Sequence, residues 1–155
     1  MAEHHYHTRT IWTGAGDEGT RTYKSFSRDY TVAVDGKPDI LGSSDPAFRG
    51  DPTRHNPEDM LVASTSACHM LWYLHLCAVN NIVVTAYEDD AEGVMVEGKG
   101  VTSKFERIIL RPRITIKAGG DMEKAMSLHE VANKECFIAN SLNCPVEHEP
   151  TIEAE

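Results

Sequence analysis

Four cysteines are the side chains of this sequence best suited to chemistry: Cys68, Cys77, Cys136 and Cys144. Cys68 and Cys77 lie in one apolar segment, and a helix there would separate their Cα atoms by roughly 13 Å. Since a disulfide needs Cα atoms about 4.4–6.8 Å apart, these two cysteines cannot pair with each other. Cys77, among apolar neighbours, is therefore predicted to be a small buried apolar residue.

Cys68 has more polar company, because it follows Ser64-Thr65-Ser66-Ala67 and precedes His69. Small residues at these positions allow another element to approach closely. The local sequence leaves two interpretations open. Cys68 is either a buried thiol or a nucleophilic thiolate in a partly apolar pocket, and a thiolate there needs a positively charged partner to stabilise it.

Cys136 and Cys144 flank the end of a predicted second helix, and either could meet Cys68 once the helices pack. A reactive thiolate with a second thiol in reach is the arrangement that a thiol peroxidase requires. The first thiolate attacks the peroxide O–O bond and becomes a sulfenic acid, and the second thiol condenses with it to a disulfide that a dithiol reductant reopens.

Metal and cofactor chemistry have no comparable pattern. The sequence has no C-x-x-C motif and no H-x(3–5)-H beside a cysteine pair, so we predict no metal site. His4, His5 and His7 cluster only in a terminal segment, and the glycine-rich stretch 14–16 lacks the helix that a nucleotide motif needs. No cofactor is therefore predicted.

A long helix must position Cys68. Asn56 is a natural N-cap, Pro57 suits the first helical position, and Glu58 and Asp59 suit the positive end of the helix dipole. Residues 60–79 are apolar nearly all round and roughly long enough to cross a bilayer, but polar side chains interrupt them. The segment therefore predicts the buried central helix of a domain or of a dimer, with no membrane span.

Strands are predicted on both sides of this helix, and a second helix begins at the cap Asp121 and runs to about Glu135. The predicted strands are 8–13, 20–27, 29–34 with a hairpin turn at Asp35-Gly36, then 82–88, 93–97, 107–117 bent at Pro112, and 146–152, while 41–55 is a loop. The order βββ-α-βββ-α-β indicates one α+β domain over residues 1–155 with mostly antiparallel strands.

Composition narrows the choice of partners and location. The net charge is −9, and no basic face stands out, so nucleic acid is not a predicted partner. The N-terminal residues lack a basic segment followed by an apolar run. We therefore predict no signal peptide and a cytoplasmic location.

The motif around Cys68 resembles the signature of the OsmC/Ohr family, the osmotically inducible and organic-hydroperoxide-resistance proteins. The residues that carry the resemblance are His55-Asn56-Pro57-Glu58-Asp59-Met60-Leu61, then Ala63-Ser64 and Ser66-Ala67-Cys68-His69-Met70. Residues 43–51 upstream and 136–141 downstream resemble an OsmC-like subgroup.

This resemblance implies an α+β fold that forms an intertwined homodimer, with active sites at the subunit interface. The implied activity is thiol-dependent reduction of organic hydroperoxides, with an external dithiol, such as a dihydrolipoyl group, as reductant. The peroxidatic cysteine falls on Cys68 and the resolving cysteine on Cys136. Cys144-Pro145-Val146 copies a Cys-Pro-Val of many members, but Cys136 at the helix end fits the family pattern better.

The resemblance also implies a catalytic arginine and glutamate. The glutamate falls on Glu58, and the arginine falls on Arg49, with Arg28 as the alternative. A guanidinium stays charged and stabilises a thiolate, and a carboxylate orients the guanidinium. Glu58 and Cys68 lie roughly 15 Å apart on a straight helix, so an arginine must bridge them or the partner subunit must contribute.

Two other functions remain possible at this point. One is a non-catalytic stress protein of the same fold that binds a small apolar ligand at the interface. The other is a different thiol enzyme, such as a hydrolase, which would need a histidine base beside Cys68. His69 is adjacent in sequence but points about 100° away around the helix, which makes it a poor base.

Overall fold

The computed structural model describes every residue of the chain, 1–155. Contacts among these residues group them into two compact units, Met1–Met60 and Leu61–Glu155. The single domain over residues 1–155 stays a prediction.

The first unit contains an antiparallel sheet in the order β1 (Arg9–Trp12), β2 (Tyr30–Ala33) and β3 (Ile40–Gly42). The predicted turn at Asp35-Gly36 is present, with Gly36 at a φ of 74°. This turn joins β2 to β3. The prediction of a strand over residues 20–27 is wrong. They form a 3₁₀ turn and a loop, in which Arg28 donates hydrogen bonds of 2.8 Å to the carbonyls of Phe26 and Tyr23.

The long helix α1 (Pro57–Val79) begins and ends where its sequence signals predict. The Asn56 side chain accepts a 2.7 Å hydrogen bond from the Asp59 amide, and the Asp59 carboxylate accepts one of 3.3 Å from the Asn56 amide. This reciprocal pair satisfies two amides of the first turn. One face of α1 is buried and carries Thr65, His69, Tyr73 and Cys77, whereas another is exposed and carries Ala63, Ser64, Ala67, Leu71, His75 and Ala78.

The second unit contains two three-stranded sheets. One has the order β4 (Val84–Asp89), β7 (Pro112–Ile116), β9 (Thr151–Ala154), and the other has the order β5 (Glu92–Val96), β6 (Lys104–Leu110), β8 (Val146–His148). In each sheet the first pair is antiparallel and the second is parallel. The predicted α+β class is confirmed, and the sheets of this unit are mixed.

Two predicted strands are each divided between these sheets. The prediction of one strand over 107–117 is wrong, because the chain leaves the β5-β6-β8 sheet at Leu110 and enters the β4-β7-β9 sheet at Pro112. The prediction over 146–152 is wrong in the same way, since β8 ends at His148 and β9 begins at Thr151. Between β6 and β7, the Arg111 amide donates a 2.7 Å hydrogen bond to the Asp89 carboxylate instead of to a neighbouring strand.

The helix α2 (Met122–Glu135) follows β7, and its N-cap is the predicted Asp121, which accepts a 2.9 Å hydrogen bond from the Lys124 amide. A one-turn helix α3 (Phe137–Asn140) continues from it after Cys136. None of the three helices combines the length and apolar character that crossing a lipid bilayer requires. The apolar core of this unit consists of Tyr73, Cys77, Ile82, Ile114, Ile116, Ala125, Leu128 and Ala132.

Candidate functional site

Cys68 lies at the middle of α1, and its side chain is half-buried. Every cysteine of the chain is a free thiol in this structure. Cys68 follows Ala67, which belongs to the exposed face of the helix, and precedes His69, which belongs to the buried face. Its thiol therefore lies at the border between the protein interior and the surface, where a small molecule can reach it.

Cys136 is buried between the end of α2 and the start of α3, with only 1% of its surface exposed. Burial, followed by the nearby Cys68 thiol, raises the pKa of the Cys136 thiol to about 11, against the opposing effect of the Ala139 amide, which donates a 3.4 Å hydrogen bond to its sulfur. Cys68 is therefore close enough to Cys136 to raise the pKa of its thiol. The structure thus brings these two predicted site residues together.

The remaining cysteines have other surroundings. Cys77 is buried in the core, where burial raises the pKa of its thiol, as expected for a residue that serves packing. Cys144 is half-buried in the segment before β8 and makes no hydrogen bond through its side chain. Of the two alternatives for a second thiol, the structure therefore shows a contact with Cys68 for Cys136.

Arg49 is held by a compact loop of the first unit. The Asp45 side chain accepts a 2.7 Å hydrogen bond from the Ala47 amide and so begins a 3₁₀ turn, which Arg49 ends in a left-handed conformation with a φ of 67°. Gly50 is required next, because a Cβ there would lie 1.5 Å from the Ser44 carbonyl oxygen. The exposed Arg49 side chain projects from this rigid turn and has no carboxylate within 4 Å.

Both candidate arginines lie over one aromatic ring, that of Tyr23. The Arg28 guanidinium is 4.6 Å from the ring centroid and the Arg49 guanidinium is 5.8 Å from it, distances at which cation–π attraction operates. Arg28 also lies 3.9 Å from the Phe26 ring and donates hydrogen bonds to two carbonyls of its own loop. Arg49 has only the distant ring contact, which leaves its hydrogen-bond donors available.

Glu58 lies in the first turn of α1, half-buried, and its Oε2 atom is buried without a hydrogen-bond partner. No ion pair joins it to Arg49 or to any other cation of the chain. Burial raises the pKa of Tyr30, and the charge of Glu58 raises it further, so this carboxylate lies near the Tyr30 hydroxyl. The Tyr30 oxygen is likewise buried and unpartnered. Glu58 therefore has an acceptor oxygen available for a guanidinium.

Sequence reasoning missed a buried histidine pair beside the cysteines. His69 Nε2 and His129 Nδ1 are 3.1 Å apart, and both side chains are 1% exposed. Burial, followed by the nearby His148, lowers the pKa of His69 to about 4. His69 is thus a neutral core residue engaged with α2, which argues against its use as a base for Cys68. The available signal was the position of His129 four residues after Ala125, on the apolar face of α2.

An apolar cavity lies one helical turn beyond Cys68. It has a volume of ≈ 230 Å³ and is lined by Leu71, Trp72 and His75. The Trp72 ring meets the Phe137 ring edge to face at a centroid distance of 5.5 Å, and Phe137 directly follows Cys136. Aromatic and aliphatic side chains therefore lie one helical turn from Cys68 and directly after Cys136. They favour a ligand with an alkyl or aryl group.

Metal ligands do not converge anywhere in the chain: no group of three or more His, Cys, Asp or Glu side chains could hold a metal ion. The rings of His69, His129 and His148 are neighbours, with centroids 5.4 to 6.4 Å apart, but they do not form such a group.

Comparisons with known proteins agree with this fold. The model of the OsmC family, described as "OsmC-like protein", matches residues 50–151. That range includes Glu58, Cys68 and Cys136 and begins one residue after Arg49. No curated protein matches the chain.

Among solved structures, the chain is similar to an OsmC-like protein of unknown function from Vibrio cholerae, with a TM-score of 0.85, 28% identity, and 97% of this chain and 100% of that chain covered. It is also similar to an organic hydroperoxide resistance protein OsmC from Legionella pneumophila, with a TM-score of 0.68 and 18% identity over 97% and 99% of the chains. An organic hydroperoxide resistance protein from Elizabethkingia anophelis is similar with a TM-score of 0.68 and 19% identity, and the match covers 99% of this chain and 100% of that chain.

The family model covers well over half of the chain, and the fold agrees along nearly its whole length. The chain therefore belongs to the OsmC-like family, as its sequence motifs predict.

Proposed function

We propose that this protein is a thiol-dependent peroxidase that reduces organic hydroperoxides. The observation that carries the proposal is the contact between two free thiols of different accessibility. Cys68 is half-buried at the surface border, and Cys136 is buried, protonated at neutral pH and close enough to Cys68 for that thiol to raise its pKa. The names of the similar hydroperoxide resistance proteins add support at the level of the family.

The reaction requires two steps that these thiols can perform. The Cys68 thiolate attacks the outer oxygen of the hydroperoxide, the O–O bond breaks, and the alkoxide leaves as an alcohol after taking up a proton. Cys68 is then a sulfenic acid. The Cys136 sulfur attacks it, an S–S bond forms, the S–O bond breaks, and the hydroxyl group leaves with the Cys136 proton as water.

In this proposal Arg49 supplies the positive charge that stabilises the Cys68 thiolate, and Glu58 orients the guanidinium. Two properties of these residues support the roles. The Arg49 side chain is exposed and has no carboxylate partner, and Glu58 has a buried oxygen that accepts no hydrogen bond. Arg28 is the alternative cation, although two of its hydrogen-bond donors are used within its own loop.

The substrate class follows from the cavity beside the thiols. Leu71, Trp72 and His75 offer little hydrogen bonding and considerable apolar surface. Such a wall favours alkyl or aryl hydroperoxides over hydrogen peroxide, because burying the organic group adds binding free energy.

A homodimer is part of the proposal. The exposed face of α1 is rich in small and apolar residues, and Leu71 on it is 62% exposed. Small residues allow close helix packing, so a second copy of this face is a suitable cover. Leu71→Glu is expected to shift the sedimentation mass from two chains to one, whereas Lys124→Glu on α2 is expected to leave it unchanged. A wild-type protein that sediments as one chain would contradict the dimer.

The disulfide must be reopened by an external dithiol through thiol–disulfide exchange, and a dihydrolipoyl group is the reductant that the family resemblance suggests. A cytoplasmic location completes the proposal, since thiols are kept reduced there.

The test is a thiol count. Reduced protein is mixed with cumene hydroperoxide, and free thiols are counted in the wild type and in Cys68→Ser, with Cys77→Ala as the matched control on the same helix. We expect the loss of two thiols in the wild type and in Cys77→Ala, and none in Cys68→Ser. Equal loss with and without Cys68 would rule out the peroxidase.

The same cavity also suits a non-catalytic protein that binds a small apolar ligand. This second function predicts tight binding of cumyl alcohol with no thiol loss from the wild type. The thiol count therefore separates the two functions.

A further inference from the structure

Helix α1 is joined to α2 by two hydrogen bonds. The Tyr73 hydroxyl donates a 3.0 Å hydrogen bond to the Ala125 carbonyl. One turn earlier on α1, His69 is hydrogen-bonded to His129, which lies one turn later on α2. Next to His69, Cys68 is a neighbour of Cys136, which directly follows α2. The position of α2 along the axis of α1, called its height below, therefore decides where Cys136 lies relative to Cys68.

The histidine contact has a geometry that fixes this height. The two rings are nearly coplanar, with 6° between their planes, and their centroids are 5.4 Å apart. Since the ring nitrogens are only 3.1 Å apart, the rings meet edge to edge. One ring donates its N–H and the other accepts, and such a bond weakens steeply when it is bent or stretched.

The surroundings of the pair keep it in place. The Tyr73 ring lies face to face on the His129 ring, with 10° between the planes and 3.8 Å between the centroids. The outer nitrogens, His69 Nδ1 and His129 Nε2, are buried without partners, so the shared bond is the only one that either ring makes. Breaking it would leave further buried polar atoms unpaired, which is costly.

A disulfide tolerates little displacement. The Cα atoms of its cysteines must lie within about 4.4–6.8 Å, whereas a slip of α2 by one helical turn is about 5.4 Å. We propose that the hydrogen bond between His69 and His129 is the contact that holds α2 in the register at which Cys136 can form a disulfide with Cys68. Both histidines are positioning residues, and they act through the thiols without contacting a substrate.

The experiment measures this register without any hydroperoxide. Protein in its reduced form is equilibrated with mixtures of oxidised and reduced dithiothreitol, and the Cys68–Cys136 disulfide is quantified by peptide mapping. Two protein thiols are oxidised while the reagent's disulfide is reduced to its dithiol, so electrons and protons balance. The equilibrium constant reports how well the folded chain holds the two sulfurs together.

Three variants at α2 separate the hydrogen bond from packing. His129→Phe keeps a flat ring for Tyr73 but has no nitrogen, His129→Asn places an amide close to Nδ1, and Ser127→Ala changes an exposed neighbour. We expect the constant to fall about tenfold in His129→Phe and to stay within about threefold of the wild type in His129→Asn and Ser127→Ala. Circular dichroism and a thermal melt verify that each variant is folded.

The matched pair at His69 gives a second reading should His129→Phe fail to fold. His69→Gln places an amide close to the position of Nε2, whereas His69→Leu has no polar group there. The equilibrium constant for the disulfide is therefore expected to fall about tenfold only in His69→Leu. An unchanged constant in a folded variant without the bond would overturn the proposal. An equal fall in the amide and apolar variants would also overturn it, because packing alone would then set the register.

This inference deepens the proposed function, and the two can fail separately. A wild type that forms the disulfide with dithiothreitol but loses no thiols to cumene hydroperoxide would remove the peroxidase and leave the positioning role to be judged by the variants. If cumene hydroperoxide oxidises two thiols of the wild type but the equilibrium constant with dithiothreitol is unchanged in His129→Phe, only the positioning role is ruled out.

Discussion

Ser66 and Asp89 are joined by a 2.5 Å hydrogen bond, in which the serine hydroxyl of α1 donates to one carboxylate oxygen at the end of β4. The other carboxylate oxygen accepts the Arg111 amide at 2.7 Å. One half-buried side chain thus ties the helix that carries Cys68 to the point where the chain passes from β6 to β7. Asp89 serves here as a structural acceptor, since both of its oxygens are used.

Asp89→Asn removes the negative charge from both hydrogen bonds and replaces one acceptor oxygen by a donor, so the Ser66 hydroxyl can no longer donate to it. We expect the free energy of unfolding to fall by about 1–3 kcal/mol, measured by urea denaturation. The adjacent Asp90→Asn is the control, because Asp90 pairs with Arg113 on the surface, and it is expected to leave stability unchanged. Equal effects of both variants would contradict the structural role of Asp89.

Cys136 and Cys144 can be distinguished as the second thiol by what Cys68 becomes after one exposure to hydroperoxide. In Cys136→Ser we expect the sulfenic acid of Cys68 to persist and to be trapped by dimedone, because no thiol contacts it. In Cys144→Ser we expect the wild-type disulfide, since Cys144 makes no hydrogen bond to Cys68. Mass spectrometry of the trapped protein is the measurement, and dimedone adduct in Cys144→Ser alone would transfer the role to Cys144.

Local signals predicted the helices well, because caps act within a few residues of the helix they begin, as Asn56 and Asp121 do. The strands were harder. Residues 20–27 form a loop because the Arg28 guanidinium binds their carbonyls, a contact that no periodicity reveals. The bend at Arg111 depends on Asp89, which is distant in sequence.

The candidate site shows the same difference between local signals and contacts that are distant in sequence. Motif resemblance predicts Cys68 and Cys136 as a pair, and the two thiols are neighbours because α2 packs on α1. The contact of His129 with His69 was not predicted, because a histidine on an apolar helix face is usually a core residue and because His69 lies on another helix. Single-sequence patterns report local structure and carry little information on which side chains from separate elements meet.

The two candidate arginines are predicted to differ in which property they affect. Arg49→Gln removes a guanidinium with no partner in its own chain, so we expect the rate of Cys68 oxidation by cumene hydroperoxide to fall about tenfold to a hundredfold. Arg28→Gln removes two hydrogen bonds and two ring contacts, so we expect about 1–2 kcal/mol less stability. Stopped-flow kinetics and urea denaturation of both variants give the comparison. A rate loss confined to Arg28→Gln would make Arg28 the catalytic arginine.

The buried histidines predict that stability falls on mild acidification. Burial lowers the pKa of His69 to about 4 and that of His129 to about 3, with repulsion from neighbouring histidines adding to both shifts. The groups that face them are His148, the Asp89 carboxylate and the Tyr73 ring, and Glu130 lies 3.6 Å from His148. The charge of Asp89 opposes the shift of His69 only in part.

Because both histidine pKa values are depressed in the folded state, the unfolded chain binds protons first, at its ordinary value near 6.5. The stability that the neutral histidines contribute is present above pH 6.5 and is lost as the pH falls toward 4, by up to about 1.4 kcal/mol per pH unit for each histidine. Urea denaturation between pH 7 and 5 measures this slope before most carboxylates titrate. His129→Asn is expected to reduce the slope by about half, and a wild-type slope near zero in this range would mean that the histidines are not held neutral.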